Sequence, residues 1–178
     1  MREIISKVDP FGHITTLYHF TDRRNLPKIR ELRGLYSLAK LKEKEVAIPN
    51  PGGNEWSHEA DKLKGMDRYI HLCLRNTHPM EHVAREKKHI GDTIFLHIHP
   101  DVLKFNGVKF TADVSNKSGV PVFNIEDAKG LIDFEVLFTR TDWTDSKIQY
   151  RLQQAEKCEI LIPDHIPLEF IRNIPPNG

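Results

Sequence analysis

The chain has 178 residues and a mass of 20.6 kDa, enough for one domain that buries roughly 70% of the surface its unfolded chain exposes. Hydrophobic residues at 39% exclude a disordered chain, and no apolar run is long enough to span a bilayer. Twenty-six Lys and Arg against 25 Asp and Glu give a formal charge of +1, which excludes a uniformly basic nucleic-acid coat but not a local basic patch.

Met1 to Lys7 lacks the apolar run of a secretory signal, and two cysteines make no disulfide framework, so a reducing, cytoplasmic setting is expected. No repeat or low-complexity tract divides the chain, and residues 1–178 read as a single domain. A Pro10-Phe11-Gly12 turn precedes a strand over Ile14–Thr21, rich in β-branched and aromatic residues. Asp22–Arg33 carries Asn25, Leu26, Ile29 and Leu32 near helical spacing, with Pro27 in the first turn and Gly34 as a stop. Ser37–Glu45 reads as a short charged helix, and residues 44–60 as an irregular segment around Pro49-Asn50-Pro51-Gly52-Gly53-Asn54. Tyr69–Leu74 is a strand, His78–His89 a helix and Asp92–His99 a strand. Pro100–Leu103 is a turn, and Val108–Asp113 and Val120–Phe123 are short strands. Ile125–Leu131 reads as a helix, Phe134–Thr139 as a strand, and Ser146–Ala155 as helix or loop. Cys158–Ile162 and Leu168–Ile174 are the last strands. Many short strands, with helices clustered early, predict an α+β fold with a mixed or antiparallel sheet.

Four constellations carry candidate chemistry. Along Leu17-Tyr18-His19-Phe20-Thr21, strand alternation puts Leu17, His19 and Thr21 on one face. Imidazole beside hydroxyl suits a cleft, and equally a satisfied half-buried histidine. Glu159 precedes the aliphatic run Ile160-Leu161-Ile162, so it either faces solvent on an edge or sits at the mouth of a site. His97 and His99 share a strand face and could chelate a metal, which would suit a hydrolase, but no third ligand stands at short spacing. Cys73 and Cys158 lie in apolar strands and read as core residues. Basic residues crowd Arg23–Arg33, Lys40–Lys44 and Arg85–Lys88, either as solvated helix faces or as phosphate contacts. Trp56, Trp143 and Tyr150 are candidates for base stacking. No Walker or Rossmann phosphate loop is present.

Several blocks, taken in order, resemble the DarT family of NAD-dependent ADP-ribosyltransferases that act on bases of single-stranded DNA. They are Leu17–Thr21 with Asn25–Ile29 and Gly34-Leu35; Asp67–Leu72 with Pro79-Met80; Phe110–Asp113 with Ile132–Phe134 and Trp143; and Gln154–Ile162 with Ile166–Leu168. The resemblance runs from about residue 14 to 174, and the first and last blocks are its specific parts.

That resemblance implies an ADP-ribosyltransferase-like fold, with a central split, mostly antiparallel sheet flanked by helices. It implies NAD as substrate, no metal, single-stranded DNA as acceptor, no membrane, and a toxin whose partner is a macrodomain antitoxin. The catalytic glutamate falls on Glu159, with Glu156 as a competitor in Gln154-Ala155-Glu156. The NAD site falls on Tyr18, His19, Phe20, Thr21, Asn25 and Leu26, with His19 also in the catalytic set. The family's second-segment arginine has no counterpart in Trp56–Asp61, and Arg68 is its expected substitute. That departure motivates an alternative, a non-catalytic nucleic-acid-binding or partner-binding domain of the same fold. The stretch from about Thr139 to Lys157 corresponds to the acceptor loop, where Trp143, Lys147, Tyr150 and Arg151 suit DNA contact.

Overall fold

The computed structural model describes residues 14–51, 55–140 and 142–174, with backbone alone at 55–57. The expected Pro10-Phe11-Gly12 turn, the N-terminal segment, the Gly52-Gly53-Asn54 part of the proline-glycine loop and the Trp56 side chain lie outside it.

Five antiparallel strands form the central sheet in the order β4-β1-β3-β6-β5. They are β1 (Leu17–Asp22), β3 (Tyr69–Cys73), β4 (Thr93–Ile98), β5 (Lys109–Thr111) and β6 (Glu159–Pro163). A separate pair joins β2 (Gly34–Tyr36) to β7 (His165–Pro167). The apolar face of these strands builds the core: Leu17, Leu72, Leu96, Ile98, Phe110, Ile160 and Ile162 are fully or almost fully buried. Cys73 and Cys158 are buried free thiols, as their apolar strands lead one to expect.

The sheet is split. β1 and β4 pair from Leu17↔Ile98 to Asp22↔Thr93, and β3 and β6 from Tyr69↔Pro163 to Cys73↔Glu159. Between the two halves, β1 and β3 are registered at Tyr18↔Cys73 alone among the described residues. Beyond that point they diverge, and the gap becomes a cavity.

The helices flank the sheet. They are α1 (Leu26–Glu31), α2 (Leu38–Glu43), α3 (Glu55–Lys64), α4 (Pro79–Glu86), α5 (Ile125–Leu131), α6 (Phe134–Phe138) and α7 (Ser146–Ala155). Side chains cap most of them: Ser37 accepts from the Lys40 N–H, His78 from Met80, Asn124 from Asp127 and Asp145 from Lys147.

Six places differ from their sequence reading. The helix expected over Asp22–Arg33 breaks into a 3₁₀ turn, Arg23–Asn25, and α1, because Asp22 stays in β1 and spends its carboxylate capping Arg24. Gly34 opens β2 instead of closing a helix; at its φ of 150°, an added Cβ would lie 2.2 Å from the Ile166 carbonyl oxygen. Phe134–Phe138 is helical, not a strand: Asp133 caps it through Val136 N–H, and Phe134, Val136 and Leu137 are buried around Glu135. A five-residue apolar run does not reveal its period. The expected last strand is a 3₁₀ turn, Leu168–Phe170, with one bridge at Ile98↔Ile171. Val120–Phe123 likewise contributes only a bridge, Phe110↔Phe123, and α3 fills part of the segment read as irregular.

Candidate active site

The cavity holds about 300 Å³ and lies where β1 and β3 part. Such a volume suits a small-molecule site. His19, Phe20, Thr21 and Asn25 line one side, Tyr69 and His71 the other, and Glu159 sits beside the vertex of the split. The sequence reading brings these β1 residues and Glu159 to one site, and the structure does so through strand register.

Glu159 is the first residue of β6, opposite Cys73 on one side and Thr111 on the other. It is only 5% exposed. Its Oε2 accepts the Ser115 N–H at 3.1 Å and lies 3.2 Å from His71 Nδ1. Its Oε1 has His78 Nε2 nearby at 3.8 Å, too far for a hydrogen bond. Burial pushes the carboxyl toward protonation, but His71, His78 and the Ser115 N–H outweigh it and hold the group ionised. The two halves of the Glu159–His71 pair therefore stand as carboxylate and imidazolium.

His19 is the complementary case. Its Nδ1–H donates to the His71 carbonyl at 2.9 Å, so the neutral ring presents Nε2 as an acceptor. Burial lowers its pKa against the pull of that carbonyl, and the cation on His71 lowers it further. Thr21 and Asn25 close the β1 side: Asn25 Nδ2 donates to Thr21 Oγ1 at 3.0 Å and to the Asn50 carbonyl at 2.7 Å. Asn50 returns a backbone N–H to Asn25 Oδ1 at 2.9 Å, which ties the proline-rich loop to the cavity wall.

The remaining expected residues are placed differently. Tyr18 turns away from the cavity, edge-on to His97, and Leu26 is packed in the core. Arg68 is exposed on a 3₁₀ turn, outside the cavity wall, with its charge beside Lys40 and Glu43. Glu156 lies at the end of α7, 3.4 Å from Arg75 Nη1 and outside the cavity, so the geometry selects Glu159 over it. Trp143 and Tyr150 are exposed, and Arg75 stacks over the Trp143 ring. Lys147 is exposed on α7, whereas Arg151 is committed to Asp133 at 2.6 Å and Glu135 at 2.7 Å. His97 and His99 stand outside the cavity; His99 Nδ1 caps Asp101.

Sequence reasoning missed His71, Ser115, His78 and Asp61. Strand alternation over Tyr69, His71 and Cys73 was the available signal for His71, but only the register with β6 brings it to Glu159. Ser115 reaches Glu159 through its backbone, which no residue pattern announces. Asp61 lines the cavity from α3 with a buried Oδ1 that has no hydrogen-bond partner among the described residues, and burial raises its pKa.

The family model for DarT, described as ssDNA thymidine ADP-ribosyltransferase, matches residues 18–175. The chain is similar in structure to Thermus sp. 2.9 DarT in complex with ADP-ribosylated ssDNA: the TM-score is 0.66 at 15% identity, covering 89% of this chain and 79% of that one. For Thermus sp. 2.9 DarT in complex with NAD+, the TM-score is 0.59 at 17% identity, covering 89% and 80%. For Thermosipho africanus DarTG in complex with ADP-ribose it is 0.63 at 16% identity, covering 88% and 42%. No curated protein matches the sequence. The structural likeness bears out the split-sheet transferase fold, and no helix among the described residues is long and apolar enough to cross a membrane. With the family model spanning nearly all of the described residues, the chain belongs to the DarT family of ssDNA thymidine ADP-ribosyltransferases.

Proposed function

We propose that this chain transfers ADP-ribose from NAD to thymidine in single-stranded DNA. The observation that carries the reading is an ionised, buried Glu159 at the vertex of the split, with one oxygen held by the protein and the other left for substrate.

The chemistry follows from that placement. As the nicotinamide–ribose bond breaks, its electron pair leaves with the ring, which departs neutral, and positive charge builds on the ribose. A fixed carboxylate beside the ribose hydroxyls stabilises that charge more in the transition state than in the ground state. The His19 Nε2 lone pair accepts from a ribose hydroxyl and orients it. Thymine offers one ring nitrogen outside its own glycosidic bond, an imide N–H. A new bond forms from that nitrogen to the ribose carbon, and its proton passes to solvent or a cavity carboxylate. The nitrogen is a weak nucleophile, so holding it in line with the departing bond supplies much of the rate. Single strands spare the enzyme the cost of extruding a base from a duplex.

Trp143 and Tyr150, exposed near Arg75 and Lys147, supply stacking surfaces and charge for the strand. The modified nitrogen lies on the pairing edge of thymine, so the product blocks templating. A toxin of a toxin–antitoxin pair acting on cytoplasmic DNA is the role that fits, with a macrodomain hydrolase that removes the mark as its antitoxin.

Nicotinamide release from NAD in the presence of mixed single-stranded oligonucleotides tests the reading, wild type against Glu159→Ala. Release by wild type alone supports it. Release by neither form, with DNA still bound, would favour a non-catalytic binding domain.

A further inference from the structure

We propose that His71 is the positioning residue of the site, holding Glu159 in place through Nδ1 and His19 through its backbone carbonyl. The inference rests on the transferase reading above and adds a residue to it.

The ring is anchored at both nitrogens. His71 Nε2 donates to the Met66 carbonyl at 3.3 Å, which fixes the ring plane. Nδ1 lies 3.2 Å from Glu159 Oε2 and 3.2 Å from Ser115 Oγ. With a proton on each nitrogen, Nδ1 donates to the carboxylate. The same residue's carbonyl accepts from His19 Nδ1 at 2.9 Å. One residue of β3 therefore fixes a carboxylate oxygen on β6 and the tautomer of a histidine on β1. Those are the two strands that flank β3 in the split sheet. Movement of the β3 main chain at this point would displace both reacting groups together.

The groups facing His71 are set to favour this arrangement. Burial disfavours a charge on all three rings, but at His71 it is outweighed by Glu159 on β6 and Asp61 on α3, which draw that ring toward the cation, while the His19 and His78 rings, from β1 and the start of α4, stay neutral. Asp67 and Lys64 act on Asp61 with opposite signs. Met66 and Ser115 contribute neutral polar atoms. The cation on His71 is what allows a carboxylate to stay ionised at this depth.

Two variants separate positioning from mere support. Asn places an amide nitrogen near the position of His Nδ1, and Gln places one near Nε2. His71→Asn keeps a donor for Glu159; His71→Gln keeps the anchor to Met66 and loses that donor. Nicotinamide release and NAD binding are measured for wild type and both variants across pH. The expected result is a kcat loss on the order of 10²-fold for His71→Gln, a smaller one for His71→Asn, and NAD affinity within a few-fold of wild type for both. The acid limb of kcat is expected to move to higher pH in both variants, since Glu159 loses its cation. Equal kcat in all three proteins, or loss confined to NAD affinity, would overturn the positioning role. So would a His71→Asn loss exceeding that of His71→Gln. If wild type releases no nicotinamide, the transferase reading fails first and this inference falls with it.

Discussion

The His19 ring donates its Nδ1–H to the backbone carbonyl of His71 across the opening of the split sheet, at 2.9 Å. That bond fixes the tautomer, and the Nε2 lone pair of a neutral imidazole then faces the cavity. The ring is therefore set as an acceptor rather than a titrating group near neutral pH. Burial, and the charge on the His71 ring, both keep His19 uncharged at neutral pH.

NAD binding should report this directly. His19→Ala is expected to weaken NAD affinity by about tenfold, the worth of one hydrogen bond to substrate plus the lost orientation. Because the His19 pKa lies below its ordinary value near 6.5, wild-type affinity should be flat between about pH 7 and 8 and fall only in acid, as the acceptor takes a proton. Calorimetric titration of NAD at several pH values checks both statements.

Asp22, the last residue of β1, ties that strand to Asn50, whose backbone holds Asn25 at the cavity wall. It is fully buried and accepts five hydrogen bonds: from Arg24 N, Nε and Nη2, from Gly91 N, and from Asn50 Nδ2. The Arg24 guanidinium, opposed by burial and helped by Gly91 and Asn50, holds the carboxyl far below the usual carboxylate range. Asp22→Ala should lower stability by ~2–4 kcal/mol, since it strands several buried donors at once. Asp22→Asn keeps the shape and loses the charge. A depressed folded pKa gives stability that is full above the unfolded value near 3.9 and disappears as pH falls through the folded value. The gap in urea stability between wild type and Asp22→Asn should therefore be constant above about pH 5 and narrow below about pH 4.

On the proposed acceptor face, two of the expected DNA contacts differ in what already holds them. Trp143 is 44% exposed with Arg75 over its ring, while the Arg151 guanidinium is shared between Asp133 and Glu135. Trp143→Ala should cost ~1–3 kcal/mol of single-stranded DNA affinity. Arg151→Ala should mainly lower the melting temperature, by releasing α7 from α6, with a smaller effect on DNA affinity. Fluorescence anisotropy on a labelled oligonucleotide, beside thermal melts, distinguishes the two.

Much of the candidate site is legible in the sequence. His19, Thr21 and Asn25 sit in a motif whose spacing is local, and Glu159 stands just ahead of a strand too apolar to tolerate it without a reason. Local pattern carries such residues because their placement depends on one strand or one turn. His71 was not legible, since its role depends on which residue of β6 lies opposite β3, and register is a property of two distant segments. Asp61 was hidden by the helix α3, which follows a proline-glycine loop and has too few apolar residues to declare its period. The pairing of Arg151, an expected DNA contact, is equally hidden from local pattern, because its carboxylate partners lie 16 and 18 positions earlier.

The most direct test of the account uses NAD radiolabelled in its adenylate phosphate and two single-stranded oligonucleotides, one with a single thymidine and one with none. The account predicts a labelled, shifted band for wild type with the thymidine strand only, and a loss of at least about 10²-fold with Glu159→Gln. Label that persists undiminished in Glu159→Gln, or that appears equally on the strand without thymidine, would contradict it.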